Sequence, residues 1–114
     1  MAKNEERVRL RHMLDAVQKA VEFVQGRTRN DLDKDEQLTL ALTRLLEIIG
    51  EAAKGVSPAL RERYPKIQWK EIAGTRDRLI HGYFDVDLNI VWQIVTTDLP
   101  PLHAELEKIL SSEK

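Results

Sequence analysis

The chain contains no cysteine, little glycine and few aromatic residues, and this composition limits the kinds of site and the class of protein that it can form. Its 114 residues include 0 Cys, 5 Gly and 5% aromatic residues. Without cysteine, nothing indicates a thiolate metal site or an oxidising compartment. No apolar run approaches the roughly 18 residues that a membrane span requires, and the first residues, MAKNEERVRLRHML, lack the apolar core of a signal peptide. We therefore expect a cytoplasmic protein.

The length and charge of the chain set further limits. We expect 114 residues to form a single helical domain, 1–114, around one hydrophobic core. The net charge of −1 is not that of a strongly basic nucleic-acid-binding protein. Between positions 61 and 81, however, six basic residues stand against three acidic ones, which is either a solvated face or a surface for a polyanion. The basic residues are Arg61, Arg63, Lys66, Lys70, Arg76 and Arg78.

Strand alternation is also missing, whereas helical periodicity runs through most of the chain. Gly26 and Gly55 are placed to end helices, Ser57 and Asp87 to begin them. Pro100 and Pro101 fall within the last apolar pattern and predict a kink there. We therefore predict an all-α fold, an antiparallel up-and-down helical bundle with a kinked C-terminal helix. The predicted helices are about 4–26, 33–55, 57–64 and 68–80, followed by a last one after position 87.

The segment GTRDRLIHGYF places an arginine, a histidine and a tyrosine close together. Arg76 and His81 are five residues apart, which on an ideal helix turns their side chains about 140° away from each other. Either the helix is distorted near Gly82, or two copies of the segment meet across a symmetric dimer. A neutral imidazole can exchange a proton near pH 7, and a guanidinium can hold a phosphate. The pair could therefore cleave RNA without a metal, because the 2′-hydroxyl of RNA supplies the nucleophile.

Other polar and aromatic residues have both functional and structural interpretations. Glu47 and Glu51, four apart in an apolar neighbourhood, are an acid–base pair, a polar helix edge, or an ion-pair partner that orients Arg76. His103 and Glu107 have a metal-compatible spacing, but two ligands do not make a site. We predict no metal and no cofactor. Trp69 and Trp92 could stack bases, but at helical spacing among aliphatic residues they are better interpreted as core.

The chain resembles a known family over nearly its whole length. The segment TRDRLIHGYFDVD resembles the arginine–histidine signature of HEPN domains, and the tyrosine two residues after the histidine resembles the HepT subgroup, also called the DUF86 family. The stretches EIIGEAAK and YFDVDLNIVW strengthen the resemblance. Asp77 follows the arginine, where the common form has asparagine, and with Glu47 and Glu51 it is assigned a supporting role.

The resemblance implies a function as well as a fold. It implies a homodimeric toxin of a type VII-like toxin–antitoxin system, a metal-independent endoribonuclease paired with an MntA-type nucleotidyltransferase antitoxin. Arg76 and His81 would then be catalytic, and Tyr83 would accept AMP from the antitoxin. The RNA-binding residues would be Arg61, Arg63, Lys66, Lys70 and Arg78. The alternative is a non-catalytic dimeric HEPN module that binds a nucleotide, RNA or a nucleotidyltransferase.

Overall fold

The first helix, α1 (Lys3–Phe23), shows the helical periodicity that the sequence indicates, with an apolar stripe along one side. The computed structural model describes residues 3–81 and 85–112, with side chains from 5 to 80 and from 85 to 112. Leu10, Leu14 and Val17 of the stripe are buried. The turn after α1 contains Gly26 at φ 73°, a left-handed conformation that glycine adopts without steric cost. The predicted role of this glycine at the end of the first helix is confirmed.

The second predicted helix is divided at Asp35. Helix α2 (Asp31–Lys34) precedes this residue and α3 (Glu36–Lys54) follows it, so the single helix predicted for 33–55 is wrong at its start. The extended Asp35 accepts a hydrogen bond from the Leu38 amide at 3.1 Å and another from the Arg27 guanidinium at 2.7 Å. Because a new helix begins after Asp35, its first amides have no carbonyl one turn earlier to bond to. The Asp35 carboxylate caps the helix by accepting from one of them, the Leu38 amide.

The middle of the chain begins as predicted and then departs from the prediction. Helix α4 (Pro58–Arg63) has Pro58 in its first turn, and the Ser57 hydroxyl accepts from the Leu60 amide at 3.2 Å. The helix predicted for 68–80 is instead two short helices, α5 (Trp69–Ala73) and α6 (Thr75–Leu79). Two-residue strands follow, β1 (Ile80–His81) and β2 (Asp85–Val86), paired antiparallel with Ile80 opposite Val86. Strands this short carry no alternation that a sequence could reveal.

The C-terminal helical run contains the irregularity that its prolines predict. Helix α7 (Leu88–Gln93) is capped by Asp87, whose carboxylate accepts from the Ile90 amide at 3.1 Å. A π-helical turn (Ile94–Asp98) follows and leads into α8 (Leu99–Ser112), with Pro100 and Pro101 in its first turn. Each proline ring would crowd the carbonyl four residues earlier in an α-helix, and a wider turn relieves that crowding.

The helices pack around one core, which confirms the all-α bundle. Helix α1 packs against α3 and α8, and α3 also contacts α5 and α6. Among the described residues, no helix is both long and apolar enough to cross a bilayer. The largest fully buried side chains are Leu10, Met13, Val17, Leu42, Leu46, Ile49, Leu60, Leu79, Val91, Val95, Leu106 and Ile109.

Candidate active site around Arg76 and His81

The arginine and the histidine of the motif lie on different kinds of backbone. Arg76 is on α6, which ends at Leu79, and the chain is already extended at Ile80 with φ −106° and ψ 120°. His81 is the second residue of β1. The 140° separation of an ideal helix therefore does not apply between them. Of the two interpretations of the motif, the structure contains the helix distortion, which lies before Gly82. The His81 side chain and all of Tyr83 lie outside the described residues.

Thr75 fixes the start of α6, and sequence analysis missed it. Its side chain is buried at 4% exposure, and its hydroxyl donates to the Ile72 carbonyl at 2.6 Å. This bond ties the start of α6 to the end of α5 across Gly74. The available signal was a threonine directly after a glycine, because a hydroxyl at a helix boundary readily bonds nearby backbone.

Arg76 faces solvent beside one carboxylate of α3. Its Nε atom lies 3.9 Å from Oε2 of Glu47, with side-chain exposures of 65% for the arginine and 25% for the glutamate. A contact of this length at the surface contributes little stability, but it limits the directions that the guanidinium samples. The exposed side chain presents further N–H donors to solvent.

Glu47 and Glu51 have different surroundings, although they are one helical turn apart. Glu51 is exposed and pairs with Lys54 at 3.1 Å. Of the interpretations left open for these two carboxylates, an ion pair with Arg76 is present in the structure, and it belongs to Glu47. The two are not an isolated acid–base pair, because each approaches a different cation.

Gly50 allows α3 to lie close enough to place Glu47 beside α6. A Cβ atom added at Gly50 would be 3.2 Å from the Ile72 carbonyl oxygen and 3.7 Å from Cβ of Thr75. Ala53, one turn on, is fully buried. The small residues of α3 therefore serve packing within the chain at the junction of α5 and α6.

The six basic residues have different surroundings. The Arg61 guanidinium donates to the Ala53 carbonyl at 2.7 Å and so holds the C-terminal end of α3. Arg63, Lys66, Lys70 and Arg78 are exposed. Lys66 and Arg78 line a groove of about 450 Å³ between α5, α6 and the start of α8. The same groove is lined by three carboxylates, Glu71, Asp98 and Glu105. Asp77, beside Arg76, is exposed.

The described histidines and the tryptophans lie in ordinary surroundings. His12 is exposed on α1, and His103 Nδ1 lies 3.5 Å from Glu107 Oε1. Among residues with a described placement, no three His, Asp or Glu side chains come together as metal ligands. Trp69 is buried and donates its indole N–H to the Tyr64 carbonyl at 3.1 Å. Trp92 is half-buried against the core, so the interpretation of both as core residues is confirmed.

Comparison with known proteins gives consistent matches along the chain. The profile of the HepT-like family, described as "Ribonuclease HepT-like", matches residues 13–109. A protein of Caldanaerobacter subterraneus subsp. tengcongensis named "Putative RNase" is 44% identical over 105 residues, covering 92% of this chain and 94% of the relative. The "Probable ribonuclease HepT" of Thermococcus cleftensis is 38% identical over 100 residues, covering 84% and 91% of the two chains. No solved structure matches the chain.

Proposed function

The chain belongs to the HepT-like family, and from this premise we propose that it is a metal-independent endoribonuclease with Arg76 and His81 as its catalytic residues. The observation that carries the proposal is the exposed Arg76 guanidinium, held by Glu47 on a helix that ends two residues before His81. An exposed arginine close in sequence to a histidine on a short strand is suited to cleaving a phosphodiester. The guanidinium can bind the phosphate while the imidazole approaches the reacting oxygens.

The proposed reaction is a transesterification within the RNA. The 2′-oxygen of one ribose attacks the adjacent phosphorus, the bond from phosphorus to the 5′-oxygen breaks, and the products end in a 2′,3′-cyclic phosphate and a 5′-hydroxyl. His81 accepts the 2′-hydroxyl proton or donates a proton to the leaving 5′-oxygen. Arg76 stabilises the negative charge that grows on the phosphate oxygens in the transition state.

The decisive test compares His81→Ala with a matched histidine variant. We expect wild-type protein to cut RNA in EDTA and to leave cyclic phosphate ends, and His81→Ala to bind RNA but lose at least about 100-fold in cleavage rate. His103→Ala, on α8, should cleave like the wild type. Binding of RNA by the wild type without any cleavage would instead support the non-catalytic module. Cleavage abolished by EDTA and restored by a divalent ion would overturn the metal-free chemistry.

We further propose that the protein acts as a toxin and that AMP transfer to Tyr83 silences it. The tyrosine oxygen would attack the α-phosphorus of ATP, pyrophosphate would leave, and the phenolic proton would pass to solvent. The product adds a bulky, negatively charged phosphodiester two residues from His81, where it would compete with RNA for Arg76. An MntA-type nucleotidyltransferase would be the partner that catalyses this step.

The chain offers a matched control for this modification, since its only other tyrosine is Tyr64. With a cognate nucleotidyltransferase and ATP, wild type and Tyr64→Phe should gain the mass of one or more AMP units and lose activity. Tyr83→Phe should gain no mass and keep cleaving RNA. Silencing of Tyr83→Phe to the same extent as the wild type would show that the switch lies elsewhere.

A further inference from the structure

The pair of strands that carries His81 is too short to fix its own position. Strands β1 (Ile80–His81) and β2 (Asp85–Val86) contribute two residues each. A two-stranded hairpin on its own is marginally stable at best in water. The position of this strand pair must therefore come from contacts at the points where it joins the helices on either side.

Both ends of the strand pair are attached to neighbouring helices. Before β1, Leu79 is fully buried at the end of α6. After β2, the Asp87 amide donates to the Leu79 carbonyl at 2.7 Å and closes the pair at its base. The Asp87 carboxylate accepts from the Ile90 amide at 3.1 Å and so caps α7. The strand pair is therefore tied to the first turn of α7.

A side chain from a distant part of the chain holds this first turn. Arg29 belongs to the connector 24–30 between α1 and α2, and its Nε atom donates to Oδ1 of Asn89 at 2.7 Å. Asn89 is the second residue of α7 (Leu88–Gln93). The Nη1 atom of the same guanidinium lies 3.2 Å from Oδ1 of Asp33, which limits the directions that the arginine can take.

The connector that presents Arg29 is itself fixed by carboxylates. The Arg27 guanidinium donates to Asp35 at 2.7 Å, and its Nε atom lies 3.4 Å from Asp31. The Thr28 amide donates to the Asp31 carboxylate at 2.7 Å. Hydrogen bonds to a charged group are stronger than those between neutral groups. Arg29 therefore projects from a turn that can hold α7 in place.

We propose that Arg29 is a positioning residue for RNA cleavage, because its bond to Asn89 holds the α7 end of the strand pair that carries His81. Arg29 acts through Asn89 and Asp87 and does not contact the RNA. Without the bond, the first turn of α7 can shift, and the catalytic groups lose part of the alignment that the transition state requires. The effect on cleavage rests on the proposed function, whereas the attachment rests on the geometry alone.

Steady-state kinetics on RNA test the role in cleavage. Arg29→Gln and Asn89→Ala should each lower kcat by about twofold to fivefold with KM unchanged, as the loss of one hydrogen bond predicts. The double variant R29Q/N89A should be no slower than the slower single variant, because both substitutions remove the same bond. Asn89→Asp keeps an acceptor for the guanidinium and should cleave like the wild type.

A matched arginine variant and an activity-free measurement complete the experiment. Arg7→Gln breaks another arginine bond between distant segments, to the Leu110 carbonyl at 3.1 Å, and should lower stability without changing kcat. Amide exchange followed by NMR reports on the attachment directly. The Asp87 amide should exchange about twofold to fivefold faster in Arg29→Gln than in the wild type, relative to amides in the middle of α3. In Arg7→Gln this ratio should not change.

The two measurements separate the positioning role from the ribonuclease activity. Unchanged exchange of the Asp87 amide in Arg29→Gln, or faster exchange with the wild-type kcat, would overturn the positioning role and leave the proposed function standing. A raised KM with a weaker salt dependence would also overturn it, because Arg29 would then bind RNA directly. If the wild type does not cut RNA, the proposed function fails together with any role in cleavage, whereas faster exchange still demonstrates the attachment.

Discussion

At the scale of single residues, Glu47 allows Arg76 to be tested without replacing a catalytic side chain. Glu47→Gln keeps the shape of the side chain and removes the charge 3.9 Å from the guanidinium. Because a surface pair contributes up to about 1 kcal/mol, we expect kcat on RNA to fall by about threefold to fivefold. Stopped-flow cleavage assays at saturating RNA would measure this effect.

The control for Glu47 is a carboxylate elsewhere on the surface. Glu107→Gln removes a similar charge from α8, where its partner is His103, and kcat should not change. A positioning role also predicts that Glu47→Asp recovers part of the lost rate and that the melting temperature of Glu47→Gln stays close to that of the wild type. Equal kcat values for Glu47→Gln and wild type would show that Glu47 does not position Arg76 for cleavage.

A second residue-scale prediction concerns Asp35 and acid stability. The hydrogen bond from Arg27, followed by that from the Leu38 amide, holds the pKa of Asp35 below its ordinary value of 3.8. A carboxylate with a lowered pKa in the folded state stabilises the fold above its unfolded pKa and loses that contribution as pH falls through the folded value. Asp35→Asn should therefore lower the melting temperature at pH 7, with the difference from wild type shrinking below about pH 4.

Thermal unfolding followed by circular dichroism between pH 7 and pH 2 would measure this change. Asparagine remains a good helix cap, so the variant isolates the charge of Asp35 from its capping geometry. Asp98→Asn, at an exposed position of the π-helical turn, controls for the loss of a carboxylate as such. A difference between Asp35→Asn and wild type that stays constant down to pH 2 would mean that the Arg27 contact does not act through ionisation.

At the scale of elements, the close approach of α3 to α5 and α6 can be tested by a single substitution at Gly50. Gly50→Ala places a methyl group 3.2 Å from the Ile72 carbonyl oxygen, which belongs to backbone and must move. Overpacking costs about 1–3 kcal/mol, and the better helix propensity of alanine offsets about 1 kcal/mol. We expect a net loss of about 0–2 kcal/mol in the free energy of unfolding, together with a fall in RNA cleavage, because the shift displaces α6.

Gly26→Ala is the matched control for this element. No atom of the described residues lies within 4 Å of the added Cβ, but the positive φ of 73° strains an alanine there, by about 1–2 kcal/mol. Both variants should unfold more easily in urea, whereas only Gly50→Ala should cleave RNA more slowly when both are fully folded. Equal cleavage rates for the two glycine variants would show that the close contact of α3 at Gly50 does not affect the RNA-cleaving site.

At the scale of the whole molecule, the distribution of charge decides how RNA would be held. The chain carries a net charge of −1, so attraction must come from local cations such as the exposed Lys70. Affinity for single-stranded RNA should fall as salt rises, and Lys70→Gln should reduce the slope of log K against log salt by about 0.7. Fluorescence anisotropy with a labelled RNA between 50 and 300 mM salt, roughly the range over which such slopes are resolved, would measure it.

Arg61 provides the control at this scale. Its guanidinium is engaged by the Ala53 carbonyl at 2.7 Å, so Arg61→Gln should lower stability and leave the salt slope unchanged. An identical slope in the wild type and Lys70→Gln would exclude Lys70 from the RNA path. A reduced slope of log K against log salt in Arg61→Gln would show that Arg61 contacts RNA, as the sequence predicts.

The sequence alone determined the features that depend on neighbouring residues. Ser57 and Asp87 cap helices as predicted, and Gly26 adopts its left-handed turn, because each effect acts within three or four residues. The buried positions of α1 follow from periodicity for the same reason. The catalytic role of Arg76 and His81 stays a prediction: their residue types allow it, and the family resemblance assigns it.

Only the tertiary structure decided that Glu47 lies beside Arg76 and that the Arg61 guanidinium is engaged by the end of α3. Glu47 and Glu51 are equivalent in sequence terms, and the approach of α6 to α3 selects the first. Arg61 resembles its basic neighbours until the end of α3 packs beside it. The break at Gly74 likewise depends on the Thr75 bond to Ile72 and on Gly50 of α3. These choices depend on contacts between residues that are distant along the chain, and local pattern carries no information about them.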